Sequence, residues 1–226
     1  EKSPLIVSGT RIFPSSMPDI MKGKKVEPVA GLVLAAGAST RMGTPKQLLP
    51  VGTDLLLERV LEQSLHSNLD LVVLVLGFMA KEIREKIRFG RDPSRLKIVE
   101  NAGYEQGISS SILTGLSHAE KNYNHIMILL GDMPYITSGV INRLLSGYLE
   151  SGLPLGALRV RGKRSHPVII GRPLFPALHQ LKGDRGARDL FISHRDQVCL
   201  VEPGENYDDR DIDTHEEYLE FKKSLK

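Results

Sequence analysis

Two short runs in this chain, residues 71–76 (LVVLVL) and 126–130 (IMILL), are apolar at every position. A strand with one face in water alternates apolar and polar side chains, so a run without alternation has both faces covered, as at the centre of a parallel sheet. Further candidate strands fall at 29–35, 96–99, 155–160, 167–170 and 198–201. Between them the period changes to that of helices. Leu57, Val60, Leu61 and Leu65 recur at helical spacing after Thr53 or Asp54 as N-cap, and Val140, Ile141, Leu144, Leu145 and Tyr148 do so after Thr137 or Ser138. A third helix is expected to open in Ser109, Ser110 and Ser111 and run through Leu116 to Ala119. Thr214 with Glu217 reads as a capping box for the last helix. Strands alternating with helices predict a three-layer α/β fold with a mainly parallel central sheet.

The chain of 226 residues is long enough for one full core, and 30 Lys plus Arg against 27 Asp plus Glu leaves a net charge of only +3. That balance does not favour nucleic acid as a partner. Cys199 is the only cysteine, which excludes an internal disulfide and fits a reducing cytoplasm. The longest apolar run, 69–78, is interrupted by Asp70 and is too short to span a bilayer, so no membrane association is expected. Residues 1–28 carry Pro4, Pro14, Pro18 and Pro28 and three lysines near their end. They read as an N-terminal extension, flexible or left from a fused domain, ahead of a single domain at 29–226.

Chemistry concentrates first in the loop after the 29–35 strand, Leu34-Ala35-Ala36-Gly37-Ala38-Ser39-Thr40-Arg41-Met42-Gly43-Thr44-Pro45-Lys46. Small residues let the backbone approach a ligand and turn its N–H groups toward anionic oxygens. Arg41 and Lys46 add the fixed positive charge that a triphosphate needs while charge builds on departing pyrophosphate. Neither the G-x-x-x-x-G-K-[ST] phosphate loop nor the G-x-G-x-x-G dinucleotide fingerprint is present. The plain alternative is a glycine turn with two solvated cations.

Asp132, in Gly131-Asp132-Met133-Pro134, follows the 126–130 strand at the carboxyl edge where open α/β sheets bind ligands, and there a carboxylate can take magnesium together with a nucleotide phosphate. An Asp shaping the turn before Pro134 is the plainer reading. In Asp211-Ile212-Asp213-Thr214 two carboxylates share one side of an extended segment. Asp213 is either the second metal ligand or a helix N-cap in competition with Thr214, with Asp211 as the reserve ligand. Gly107 and the three serines suit a base edge or an anion, or simply cap their helix. Gly162 to Gly171, with His166, and 183–188, with Asp184, Arg185 and Arg188, read as charged loops on the side of a second substrate; a lone histidine is otherwise a packed residue.

The run L-A-A-G-x-S-x-R-M-G-x-x-K resembles the signature of the nucleotidyltransferases related to molybdenum cofactor guanylyl- and cytidylyltransferases, and the likeness extends over nearly all of 29–219. It implies a three-layer Rossmann-like nucleotidyltransferase fold. Ala36, where guanylyltransferases usually carry glycine, is similar to the cytidylyltransferase branch. The resemblance implies that Leu34, Ala35, Ala36 and Gly37 hold cytosine and ribose, with Gly107 and Ser111 beside the base. Arg41 and Lys46 would then hold the triphosphate as catalytic cations, Asp132 and Asp213 a Mg²⁺ ion, and His166, Asp184 and Arg188 the acceptor. The implied reaction is CMP transfer from CTP to the terminal phosphate of molybdopterin, and the implied protein partner is a molybdenum hydroxylase apoenzyme. Two rival readings stay open: transfer to another phosphorylated acceptor, such as a sugar or polyol phosphate, and a non-catalytic cofactor carrier. Intact Arg41, Lys46 and Asp132 argue against the carrier.

Overall fold

The computed structural model describes residues 5–7, 10–13, 27–39, 42–88, 93–205 and 207–224. In chain order the elements are β1 (Leu5–Val7), β2 (Thr10–Phe13), β3 (Val29–Ala35), β4 (Pro50–Val51), β5 (Asp54–Leu55), α1 (Leu56–Leu65), β6 (Leu71–Leu76), α2 (Ala80–Lys86), β7 (Leu96–Glu100), α3 (Ile108–Ser117), β8 (His125–Leu130), α4 (Ser138–Ser151), β9 (Leu155–Val160), β10 (Lys163–Gly171), α5 (Phe175–Leu178), α6 (Arg188–Ser193), β11 (Val198–Val201) and α7 (His215–Ser224). Among the described residues the main sheet has nine strands in the order β1-β2-β11-β9-β10-β8-β3-β6-β7. β3 pairs in parallel with β6 and β8, and β6 with β7. β10 runs antiparallel between β8 and β9, whose neighbour β11 is parallel to it.

The expected doubly covered strands are found. Along β3, Val29, Val33 and Ala35 pack toward α1, α2 and α4, while Ala30, Leu32 and Leu34 pack toward α3, α5 and α6. β6 and β8 divide in the same way, with Leu74 and Leu129 on the first face and Val73 and Ile128 on the second. Leu57 and Leu61 of α1 and Leu116 of α3 are essentially fully buried. Each such side chain contributes roughly 1.5–3 kcal/mol relative to exposure. A third apolar cluster joins Leu49, Val51 and Leu56 to Ile212, Tyr218 and Phe221, docking α7 onto the β4–β5 hairpin.

Several local expectations are corrected. Thr53 and Asp54 do not cap α1: Asp54 belongs to the hairpin strand β5, Leu55 is the N-cap, and the Glu58 carboxylate accepts from its N–H at 2.6 Å. Thr137 does cap α4, accepting from Val140 N at 3.2 Å. α3 starts at Ile108, ahead of the serines, with Gly107 as N-cap. The stretch 162–171 is largely strand, since β10 begins at Lys163 and is interrupted by an irregularity between Ser165 and Val168. Its charged residues belong to an exposed strand end that looks like loop in sequence. β1 and β2, within the stretch read as an extension, form a hairpin whose second strand pairs in parallel with β11. No helix among the described residues is long and apolar enough to cross a membrane.

Candidate active site

The chain runs from β3 to β6 and β7 on one side of the sheet and returns to β8 on the other. This makes the carboxyl ends of β3 and β8 a topological switch point, where open α/β sheets form their ligand crevice. A cleft of about 280 Å³ lies there, bounded by the loop after β3, the turn after β8 and the start of α3. Leu34, Ala35, Ala36, Gly37, Gly107 and Ser111 all line it, together with Lys46 and Asp132. Arg41 lies outside the described residues.

Every carbonyl from Leu34 to Gly37 is held by the protein. Leu34 O accepts from Gly131 N at 2.9 Å and Ala36 O from Phe78 N at 3.0 Å. Ala35 O and Gly37 O both accept from the Gln47 side-chain Nε2, at 2.9 and 3.0 Å. In a trans peptide the following N–H points the opposite way. Among the described residues no backbone group accepts from the N–H of Gly37 or Ala38. The close approach of β8 to this loop requires glycine at 131, where a Cβ would lie 2.9 Å from that of Ala35.

Lys46 opens a short helical turn, with its N–H donating to Ser39 Oγ at 3.1 Å. Its Nζ donates to Asp132 Oδ2 and, at 3.1 Å, to Asp213 Oδ1. Side-chain exposure is only 17% for Lys46 and 13% for Asp132. Burial works against the ammonium, but Asp132 and Asp213 together outweigh it and hold the Lys46 pKa above its ordinary value. Asp213 reaches this place because the segment before α7 lies along the Asp132 turn, with Ile212 N donating to Asp132 O at 3.2 Å and the Ile212 side chain buried in the third cluster. Thr214 takes the capping role: Glu217 N donates to its Oγ1 at 3.2 Å and Thr214 N donates to Glu217 Oε2 at 2.8 Å. Asp213 is thereby left to Lys46.

Asp132, Asp211 and Asp213 each offer a carboxylate oxygen, all within 4.8 Å of one another. Burial, and then its two acidic neighbours, raise the pKa of Asp211. Among the described residues Asp132 Oδ1 is buried without a hydrogen-bond partner. An orphaned carboxylate oxygen beside two further acids is the donor set a hard divalent cation takes, so these residues fit a metal. Both Asp211 and Asp213 belong to the group.

α3 is not capped by its serines. Ser110 Oγ and Ser111 Oγ accept from Asn101 Nδ2 at 2.8 and 3.0 Å, and Ile108 N donates to Asp184 Oδ1 at 3.3 Å. Asp184 therefore sits on the helix opening, between the cleft and a second pocket of about 280 Å³. His166, Arg164, Arg185 and Arg188 line that second pocket over an apolar floor that includes Ile108, Ile112 and Phe191. Burial lowers the His166 pKa against an opposing backbone hydrogen bond at Ile128, with Arg164 adding to the lowering. Arg164 stacks over the Phe191 ring at 4.6 Å, and burial followed by its neighbour Arg188 lowers its pKa. Gln47 and Arg164 are site residues that sequence reasoning missed. Gln47 stands between Lys46 and Leu48, and only its 2% exposure sets it apart.

Residues 31–198 match the family described as MobA-like NTP transferase domain. The chain belongs to this family. As a MobA-like protein it is a nucleotidyltransferase. It is 33% identical over 197 residues to nicotine blue oxidoreductase of Paenarthrobacter nicotinovorans, covering 84% of this chain and 94% of that one. It is 24% identical over 193 residues to the molybdenum cofactor cytidylyltransferase of Escherichia coli, covering 85% and 94%. Among solved structures, the Rv0371c homologue from Mycobacterium sp. strain JC1 superposes with a TM-score of 0.76 at 32% identity, covering 87% of this chain and 96% of that one. Rv0371c of Mycobacterium tuberculosis in complex with manganese does so with a TM-score of 0.69 at 26% identity, covering 87% and 99%.

Proposed function

We propose that this MobA-like nucleotidyltransferase transfers CMP from CTP to the terminal phosphate of a molybdopterin-type acceptor, releasing pyrophosphate, with residues 29–226 as the catalytic domain. The observation that carries the reading is the pair of adjoining pockets, which share Ile108 and Asp184: a narrow cleft at the switch point beside a pocket rich in arginine. Likeness to the Escherichia coli cytidylyltransferase, and alanine rather than glycine at 36, favour cytosine.

Leu34 to Gly37, with Gly107 and Ser111, hold base and ribose, and Lys46, with Arg41, holds the triphosphate. His166, Asp184 and Arg188 flank the acceptor. An oxygen of the acceptor's phosphate forms a bond to the α-phosphorus of CTP as the bond from that phosphorus to the bridging oxygen breaks, and the electron pair leaves on pyrophosphate. The acceptor phosphate is already anionic at neutral pH, so no general base is assigned. The Lys46 ammonium stabilises charge gathering on the triphosphate as it is shared out to the leaving group. Asp132, Asp213 and Asp211 would hold a divalent cation, magnesium in this reading, which supplies charge neutralisation and orientation of the phosphates. The product would pass to a molybdenum hydroxylase apoenzyme in the cytoplasm.

The test is pyrophosphate release from CTP, GTP, ATP and UTP with Mg²⁺, using molybdopterin or a panel of sugar and polyol phosphates as acceptor. Release that depends on both CTP and molybdopterin is expected. Release with a sugar or polyol phosphate but not with molybdopterin would replace the proposed acceptor, and CTP binding with no release under any condition would favour a carrier.

A further inference from the structure

We infer that Gln47 is a positioning residue of the reaction: its side-chain amide sets the loop after β3 so that the loop's N–H groups face the nucleotide and Lys46 sits at the loop's far end. The inference rests on the cleft's being the nucleoside triphosphate site and is independent of the base chosen. Gln47 is 2% exposed, and both hydrogens of its Nε2 are engaged by carbonyls two residues apart, Ala35 O and Gly37 O. A side-chain NH₂ carries two donors, so the pair of carbonyls fixes which end of the amide points at the loop. The other end pays for this, because among the described residues Oε1 is buried with no hydrogen-bond partner.

A buried amide oxygen left without a donor is unfavourable and calls for a reason. The geometry supplies one. With the carbonyl of Gly37 drawn to Gln47, the N–H of Ala38 projects from the other side of that peptide, next to the N–H of Gly37, and among the described residues no backbone group accepts from either. Successive N–H groups presented on one side of a turn form an anion-binding concavity. Leu34 O and Ala36 O are held by backbone donors from the ends of β8 and β6, which any side chains at those positions would provide. Gln47 alone fastens the alternate carbonyls by a side chain. Being the residue after Lys46, it also ties the turn carrying the ammonium to that loop.

Gln47→Met keeps length and approximate volume but removes both donors. Gln47→Glu turns the group into an acceptor that regains a donor only when protonated. Equilibrium binding of CTP, GTP, ATP and UTP with Mn²⁺ would be measured for wild type and both variants, together with steady-state kinetics and melting temperatures. For Gln47→Met we expect nucleotide Kd and KM to rise about tenfold, the scale of hydrogen bonds lost from one amide, with saturated kcat within about threefold of wild type. For Gln47→Glu, nucleotide binding recovers as pH falls from about 8 to about 5.5, since burial raises a carboxyl pKa and protonation restores one donor. A space-filling role predicts a lower melting temperature with unchanged Kd in the folded protein.

A folded Gln47→Met protein that binds nucleotide as wild type does would overturn the inference. If only Gln47→Glu folds, the absence of recovery at low pH would overturn it. If neither variant folds, Gln47 is a structural residue and the inference falls. Wild type that binds no nucleoside triphosphate would instead remove the reading of the cleft, a result distinguishable from all the others.

Discussion

Lys46 Nζ stands 3.1 Å from Asp213 Oδ1 while also bonded to Asp132, so an ammonium occupies the space among carboxylates that a divalent cation would claim. A divalent cation held by Asp132 and Asp213 would compete with the ammonium for these carboxylates, and nucleotide phosphates would relieve the competition by drawing the lysine away. Lys46→Ala is therefore expected to bind Mn²⁺ more tightly than wild type when no nucleotide is present. The gain should be about tenfold, the scale of one charge-assisted contact. The free Mn²⁺ signal in electron paramagnetic resonance measures it, and equal affinities would show that the lysine does not obstruct the metal.

The same substitution should cripple turnover. Removing a preorganised cation from developing phosphate charge costs about 10²–10³-fold in kcat, read as pyrophosphate release. The Lys46 pKa lies above 10.5, because the two carboxylates outweigh the opposing effect of burial. No loss of activity between about pH 6 and 9 should then trace to this lysine. A decline in that range that vanishes in Lys46→Arg would contradict the assignment.

Gly107 is expected to tolerate no side chain. Its φ is +94°, and a Cβ there would lie 2.5 Å from both Asp184 Oδ1 and the Gly183 carbonyl carbon. Gly107→Ala should cost about 1–3 kcal/mol from the backbone conformation alone, before the clash is counted. Urea unfolding measures that cost, and nucleotide binding should weaken as the α3 opening separates from Asp184. Wild-type stability would mean that the segment at 183–184 yields without penalty.

At the start of α7, Glu217 is held below the usual carboxylate range, chiefly by the Asp213 N–H, with burial opposing and Thr214 adding to the effect. A depressed folded pKa gives stability that is present above the unfolded pKa and is lost as pH falls through the folded value. Glu217→Ala should thus melt lower than wild type at pH 7, and the difference should shrink below about pH 4. A difference that persists undiminished at pH 3 would show that the carboxylate's charge is not responsible.

The strands β3, β6, β8, β9 and β11 were legible because each is a short, mostly apolar run of strand length. The short helices α2, α5 and α6 were not legible: none is long enough for 3.6-residue periodicity to accumulate, and packing against the sheet decides them. Thr53 and Asp54 resemble N-caps in sequence, yet the β4–β5 hairpin turns through them. The small residues at 34–37 marked that loop as a place of close ligand approach, while Gly107 and Ser111 were singled out by the family resemblance, since capping alone would explain the serines; all of them line the cleft. Gln47 could not, because an amide between a lysine and a leucine looks like surface until the tertiary fold buries it. Asp211 and Asp213 were readable as a same-side pair, but their meeting with Asp132 depends on Ile212 entering the third apolar cluster.

That cluster has a consequence for biosynthesis. Lys46 and Asp213 lie 167 positions apart, so a nascent polypeptide emerging from the ribosome exposes the turn that carries Lys46 long before the partner carboxylate has been translated. Ile212, Tyr218 and Phe221 anchor in that cluster the segment bearing Asp213, so a stalled or clipped product ending before them would lack the ion pair between Lys46 and Asp213.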